Sequence, residues 1–128
     1  LINNIYTVDY SVQYGVQNFK NAIAFGDYPD NNVIAVTSIW FTRVGKQIVE
    51  FDQIYNTRFS WGDAAINPAV MDLQDIATHE LGHGVGLGDI YSTTCSAVTM
   101  YGYSDYGETS KRSLEQPDIT GLQKMYGV

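Results

Sequence analysis

Apolar positions change their period along this chain, and each change marks an element. From Val33 to Phe41 the residues are mostly β-branched, aliphatic or aromatic; Arg43-Val44-Gly45-Lys46 interrupts them, and Gln47 to Asn56 resumes strand-like composition. Two such runs around a glycine-bearing turn predict a strand pair. Val70, Leu73, Ile76, Ala77 and Leu81 then recur at the spacing of a helix that lays one face on a core. Two starts compete for this helix: Asn67-Pro68, an N-cap followed by proline at the first helical position, and Asp72. Residues 91–113 are rich in Ser, Thr, Gly and Tyr without a period, which predicts a long irregular loop of the kind that is usually functional. From Gln116 to Tyr126 a second amphipathic helix places Ile119, Leu122, Met125 and Tyr126 on one face, with Pro117 tolerated in its first turn. The N-terminal part supports two readings. Val12, Val16, Phe19 and Ile23 fit a helix ending at Gly26, whereas Asn21 to Tyr28 reads as a strand; the strand is adopted here.

The first helix carries the run His79-Glu80-Leu81-Gly82-His83-Gly84-Val85-Gly86-Leu87-Gly88-Asp89. Residues four apart on a helix are separated by about 40° around its axis, so His79 and His83 present their rings to one point. Glu80 stays beside that point without binding it, the geometry of HExxH: two metal ligands and a general base. His79 and His83 are the only histidines of the chain, and two unrelated surface or core histidines would not explain their spacing around Glu80. Glycines at 82, 84, 86 and 88 are poor helix material, and one of them can take the left-handed conformation that ends a helix and turns the chain. Asp89, six residues past His83, can then fold back as a third protein ligand and leave a fourth position for water.

Read as HExxH-xx-G-xx-D, this run resembles the metzincin zinc peptidases, most of which have His where Asp89 stands. Ala97-Val98-Thr99-Met100-Tyr101-Gly102 is similar to the Met-turn of that clan, and Leu114 to Gly127 resembles the last helix of matrixins, the matrix metalloproteinase type. Val33 to Thr37 and Ile48 to Asn56 resemble the matrixin edge strand and the strand after it, and Asn21 to Tyr28 the strand before, so the likeness runs from about residue 21 to the end. The resemblance implies an α+β, metzincin-like zincin domain: a small twisted mixed β-sheet with an active-site helix and a C-terminal helix. The usual first helix of the family would then be short, displaced or absent. It further implies a zinc-dependent endopeptidase with one catalytic Zn2+ held by His79, His83 and Asp89, and with Glu80 activating water. Met100 would pack beneath the site, extended substrate would lie along the edge around Ile34 and Ala35, and Tyr101 would line the pocket for the residue after the cut.

The chain also departs from the family pattern. Asp89 replaces the usual His, Gly102 stands where matrixins usually have Pro, and Pro117 takes the place of an Asp that can receive a freed N-terminus. With no further histidine, the structural zinc site typical of animal matrixins cannot be built as it is there. Two alternatives stay open. One is a gluzincin-like peptidase with Glu108, 25 residues after His83, as third ligand, which leaves Gly86 and Asp89 as coincidences. The other is an inactive metzincin-like zinc-binding module for protein recognition, against which the intact Glu80 speaks.

Composition bounds these readings. A chain of 128 residues has room for one domain, and because it begins with Leu1 the expectation is a single catalytic domain over 1–128, processed or excised from a longer precursor. Charged residues make up only 16%, while Tyr (10) and Gly (12) are plentiful, which suits a secreted, extracellular protein. The net charge of −7, with no basic run, argues against nucleic acid and anionic membrane surfaces. No apolar stretch reaches the ~18 residues of a membrane span. The expected partner is a protein or peptide substrate, and the expected state a monomer. Ca2+ is compatible with the acidic balance, but no Asp-x-Asp-x-Asp-Gly loop locates it. Cys95, being alone, forms no intrachain disulfide and reads as an ordinary thiol because the ligand set is already full.

Overall fold

The computed structural model describes Ser11 and residues 13–128. The predicted strand pair forms as β2 (Ala35–Phe41) and β3 (Ile48–Asn56), antiparallel, with Gly45 and Lys46 at positive φ in the turn between them. β1 (Ala22–Gly26) lies parallel to β3 on its other side, giving the order β1-β3-β2 and leaving β2 at the edge. A two-residue pairing of β4 (Trp61–Gly62) with β5 (Met71–Asp72) leads into helix α1 (Leu73–Gly84), and the chain closes with α2 (Gln116–Tyr126). The loop between the helices holds two single 3-10 turns, Thr93–Cys95 and Ser110–Arg112. Mixed sheet and two helices together make the expected α+β class.

Side chains alternate across a strand, so β3 serves both layers. Phe51 faces α1, where a Cβ added at Gly84 would meet its ring at 3.3 Å. Glu50, Asp52 and Asn56 face the other way and are fully buried. There Glu50 accepts the amides of Asn18 and Phe19, Asp52 those of Gly15 and Ala22, and Asn56 donates to the carbonyl of Val33. These charge-assisted bonds hold the segment before β1 as irregular chain, with Phe19 at φ 61. The strand reading therefore holds at Ala22–Gly26. The helical alternative does not: no helix precedes β1 among the described residues, and Val12 lies outside them.

Helix α1 begins at Asp72, not at Asn67-Pro68. Asp72 is its N-cap and accepts the Asp75 amide at 2.8 Å, while Asn67 closes a separate turn by accepting from Ala69 at 3.0 Å. The deciding partner is remote: Arg112 Nε donates to Asp72 Oδ2 at 2.8 Å, a second guanidinium nitrogen bonds Oδ1, and the Ala64 amide adds a bond at 2.9 Å. The apolar period also misplaced the buried face. Leu73 and Leu81 are 39% and 45% exposed, and the inward stripe is Asp75, Ile76, His79, Glu80 and Gly84. In α2, Glu115 and Asp118 form a capping box around Pro117, but Met125 and Tyr126 stay exposed, so the predicted apolar face is only partly covered.

Arg112, with the Ala64 and Asp75 amides, holds the buried Asp72 carboxyl at about 2 against desolvation. In the unfolded chain the value is ~3.9. A folded-state value below the unfolded one gives stability that is present above pH ~4 and lost as pH falls from ~4 towards 2. Asp72→Asn keeps an N-cap acceptor but removes the charge. Urea midpoints of the metal-free proteins between pH ~5 and ~2 should fall more steeply for the parent than for the variant; parallel slopes would refute the linkage.

Candidate metal centre

A helix bearing two inward imidazoles must end soon after the second if the chain is to return to them. The end is built at Val85 and Gly86. The Gly86 amide donates to the His83 carbonyl at 2.8 Å and the Leu87 amide to the Gly82 carbonyl at 2.9 Å, with Gly86 at φ 102, a Schellman-type stop. This turn brings the Leu87 carbonyl to His83 Nδ1 at 2.8 Å, and the Thr99 carbonyl lies 2.8 Å from His79 Nδ1. A carbonyl can only accept, so Nδ1 carries a proton in both rings, and Nε2 is the atom each ring turns to the common point. The two Nε2 atoms are 3.1 Å apart, and Asp89 Oδ1 lies 3.1 Å from that of His79 and 3.2 Å from that of His83.

Three potential ligand atoms are thus gathered around one point. Ligands ~2.0–2.1 Å from one zinc ion in tetrahedral geometry lie roughly 3.3 Å apart, so the triangle fits such an ion. Among the described residues His79, His83 and Asp89 are the group able to hold a metal. Tyr91 donates to the other Asp89 oxygen at 3.0 Å, which turns Oδ1 to the rings.

Glu80 stands beside this triangle, 5% exposed. Burial pushes its carboxyl up; a 2.5 Å bond from Thr37 Oγ1 and the two imidazoles pull the other way without cancelling the rise. Beneath the helix, Met100 is 2% exposed and so close that a Cβ at Gly82 would fall 2.2 Å from its sulfur. Its turn is clamped from α2, where Asp118 accepts the Thr99 and Met100 amides at 3.1 and 3.2 Å. Asp118 therefore reaches His79 through the Thr99 carbonyl. Neither Asp118 nor Thr37 was picked out from the sequence as a site residue, although Glu115 three positions before Asp118 is a capping signature that draws attention to it.

A cleft of about 440 Å³ runs past these residues. Ile34 and Ala35 form one wall and Tyr101 part of the other, so all the expected site residues meet here except Met100, which lies below. The Asn56 amide donates to the Ile34 carbonyl at 3.0 Å; strand alternation then turns the backbone groups of Ile34 towards β3 and those of Ala35 towards the open edge. Lys111, 1% exposed, sits 6.0 Å over the Tyr101 ring and pairs with Glu108. Although burial pushes Glu108 up, its bonds to Lys111, Ser110 and Ser104 bring the carboxyl below its ordinary value. Glu108 is thus outside the three-residue group, as is the half-buried Cys95.

Fold and site define a mixed α+β domain built around the helix that carries His79, Glu80 and His83. The family model described as Matrixin matches residues 6–127, and the chain belongs to that family. It is 41% identical over 69 residues to Metalloendoproteinase 1 of Glycine max, covering 52% of this chain and 21% of that protein. It is 47% identical over 51 residues to Matrilysin of Homo sapiens (40% and 18%), and 35% identical over 77 residues to human Neutrophil collagenase (60% and 15%). The chain spans about a fifth or less of the length of these relatives.

The Gly82–Met100 contact decides the sign of a simple substitution. Alanine in a helix interior is favoured over glycine by up to ~1 kcal/mol, whereas overpacking a filled site costs ~1–3 kcal/mol. Gly82→Ala should therefore lower stability to denaturant, while Gly88→Ala, with nothing within 4 Å of the new Cβ, should leave it nearly unchanged. A Gly82→Ala protein as stable as its parent would show that Met100 yields freely.

Proposed function

We propose that this chain is a zinc-dependent endopeptidase domain that hydrolyses peptide bonds in extended protein or peptide substrates outside the cell. The observation that carries the reading is the triangle of His79 Nε2, His83 Nε2 and Asp89 Oδ1 with the Glu80 carboxylate beside it. Zinc bound there would polarise the scissile carbonyl and lower the pKa of water. Glu80 is placed to take a proton from the attacking water and deliver it to the leaving nitrogen, so that a C–O bond forms, the C–N bond breaks and the amine leaves neutral. Asp89 contributes a negative charge that three imidazoles would lack, and Tyr91 sets its orientation.

The open edge of β2 supplies a place for the substrate. An extended peptide pairs with a free strand edge through its backbone, and Ala35 offers its amide and carbonyl on that side, with the Ile34 side chain on the cleft wall. The residue following the cut would enter beside Tyr101, whose ring is backed by Lys111. No helix among the described residues is long and apolar enough to cross a membrane, and the net charge of −7 disfavours anionic surfaces as partners. We read residues 1–128 as one catalytic domain acting as a monomer. Zinc analysis combined with casein or gelatin cleavage, with and without chelator, tests the reading: one zinc per chain and chelator-sensitive cleavage are expected, and zinc without hydrolysis would make the protein a recognition module instead.

Glu80→Gln preserves the shape of the side chain and removes the proton acceptor. It should keep zinc and fold while kcat/KM drops by about 10²- to 10⁴-fold; cleavage within about threefold of the parent would remove Glu80 from the role of base. The ligand set is tested separately. Asp89→Ala should weaken zinc affinity by more than about a hundredfold, whereas Glu108→Ala should leave it within a few-fold. Competition against a chromogenic chelator reads both, and a loss confined to Glu108→Ala would reverse the assignment.

A further inference from the structure

We propose that Thr37 is a positioning residue for Glu80, one whose hydroxyl fixes the carboxylate in the orientation that proton transfer requires. Its Oγ1 lies 2.5 Å from Glu80 Oε2 and 3.2 Å from the Glu80 backbone carbonyl. A hydroxyl has one proton to give, and the carboxylate is the closer and the stronger acceptor. The bond crosses 43 residues of sequence and joins the edge strand to the helix. Glutamate has several rotamers, and a bond to one carboxylate oxygen selects among them. With Oε2 committed to Thr37, Oε1 is the oxygen left for the reacting water. Thr37 is also two residues from Ala35 on the same open edge, so one strand sets both the base and the peptide it acts on. An aliphatic residue here would offer no such bond.

The role rests on the endopeptidase reading of Glu80, and the experiment separates the two. The zinc-loaded chain, Thr37→Val and Thr37→Ser are compared on one peptide substrate, with zinc content and zinc affinity measured alongside. Thr37→Val is expected to lower kcat by ten- to a hundredfold with KM within twofold and zinc affinity unchanged, because misplacing a catalytic group by about 1 Å costs that order of rate. Thr37→Ser, which restores the hydroxyl, should return kcat to within about threefold of the parent. Should the valine variant not fold, Thr37→Ala serves in its place. A readout independent of turnover comes from the metal-free proteins: Thr37→Val should shift the urea midpoint more in the parent than in a Glu80→Ala background. A kcat within threefold of the parent in Thr37→Val, or equal losses in the valine and serine variants, overturns the role of Thr37 and leaves the endopeptidase reading intact. A parent with bound zinc that cleaves nothing overturns the endopeptidase reading, and the positioning role with it.

Discussion

The 2.8 Å bond from His79 Nδ1 to the Thr99 carbonyl joins two segments that would otherwise be independent, the helix bearing both histidines and the turn beneath it. Thr99 is not free to move, because Asp118 holds its amide and that of Met100 from the first turn of α2. The same Asp118 oxygen that meets Thr99 also accepts the Glu115 amide in the capping box. One carboxylate therefore starts a helix, shapes the turn and, through Thr99, orients an imidazole. A buried charge is tolerable only when hydrogen bonds replace its water, and three amides do so here. His83 is oriented more locally, by the helix stop at Gly86 that delivers the Leu87 carbonyl. The two rings are thus set by different means, one by tertiary structure and one by a turn four residues away.

Carboxylates clamp backbone elsewhere too. Glu50 and Asp52 hold the chain before β1, Asp72 caps α1 and binds Arg112, and Asp75 takes the Lys111 amide at 2.6 Å. The buried apolar set is short, including Met71, Ile76, Val98 and Met100, whereas the largest fully buried side chains also include Lys111, Glu50 and Asp52. Acidic residues in excess are consistent with this use, since each ionised acceptor makes a stronger bond to an amide than a neutral group does. The irregular loop before α2 is held by the same means: Arg112 and the Lys111 amide attach it to the start of α1.

Much of this was legible because it is local. The β-branched runs Val33–Phe41 and Gln47–Asn56 become β2 and β3 within two residues at either end, and Pro117 does sit in the first turn of α2. The HExxH spacing by itself brings two imidazoles together, and of the four glycines at 82, 84, 86 and 88 it is Gly86 that turns the chain. The failures share a cause. Asn67-Pro68 is a sound local start for a helix, yet Asp72 is chosen by an arginine 40 residues away. Leu73 and Leu81 satisfy a helical period, but the buried stripe belongs to residues such as Asp75, His79 and Glu80, whose polar atoms find partners elsewhere in the fold. In the sequence Thr37 is only the end of an edge-strand segment and Glu108 a rival third ligand; only the fold puts one against Glu80 and the other against Lys111.

The departures from the family pattern at Asp89 and Gly102 are physically connected. Tyr91 reaches Asp89 by passing over Gly102, where any Cβ would lie 2.5 Å from its ring. A proline at that position would displace Tyr91 and with it the bond to Asp89. Edge-to-face ring contacts run from Tyr91 to Tyr103 at 5.5 Å and from Tyr103 to Tyr101 at 5.7 Å, so the carboxylate's partner is packed against the wall of the cleft. A carboxylate in place of the third imidazole brings a second oxygen that wants a donor, and Tyr91 provides it. The glycine at 102, the tyrosine at 91 and the aspartate at 89 are best understood as one arrangement, in which a side chain at 102 clashes with the ring and loss of the tyrosine removes the bond that orients Asp89.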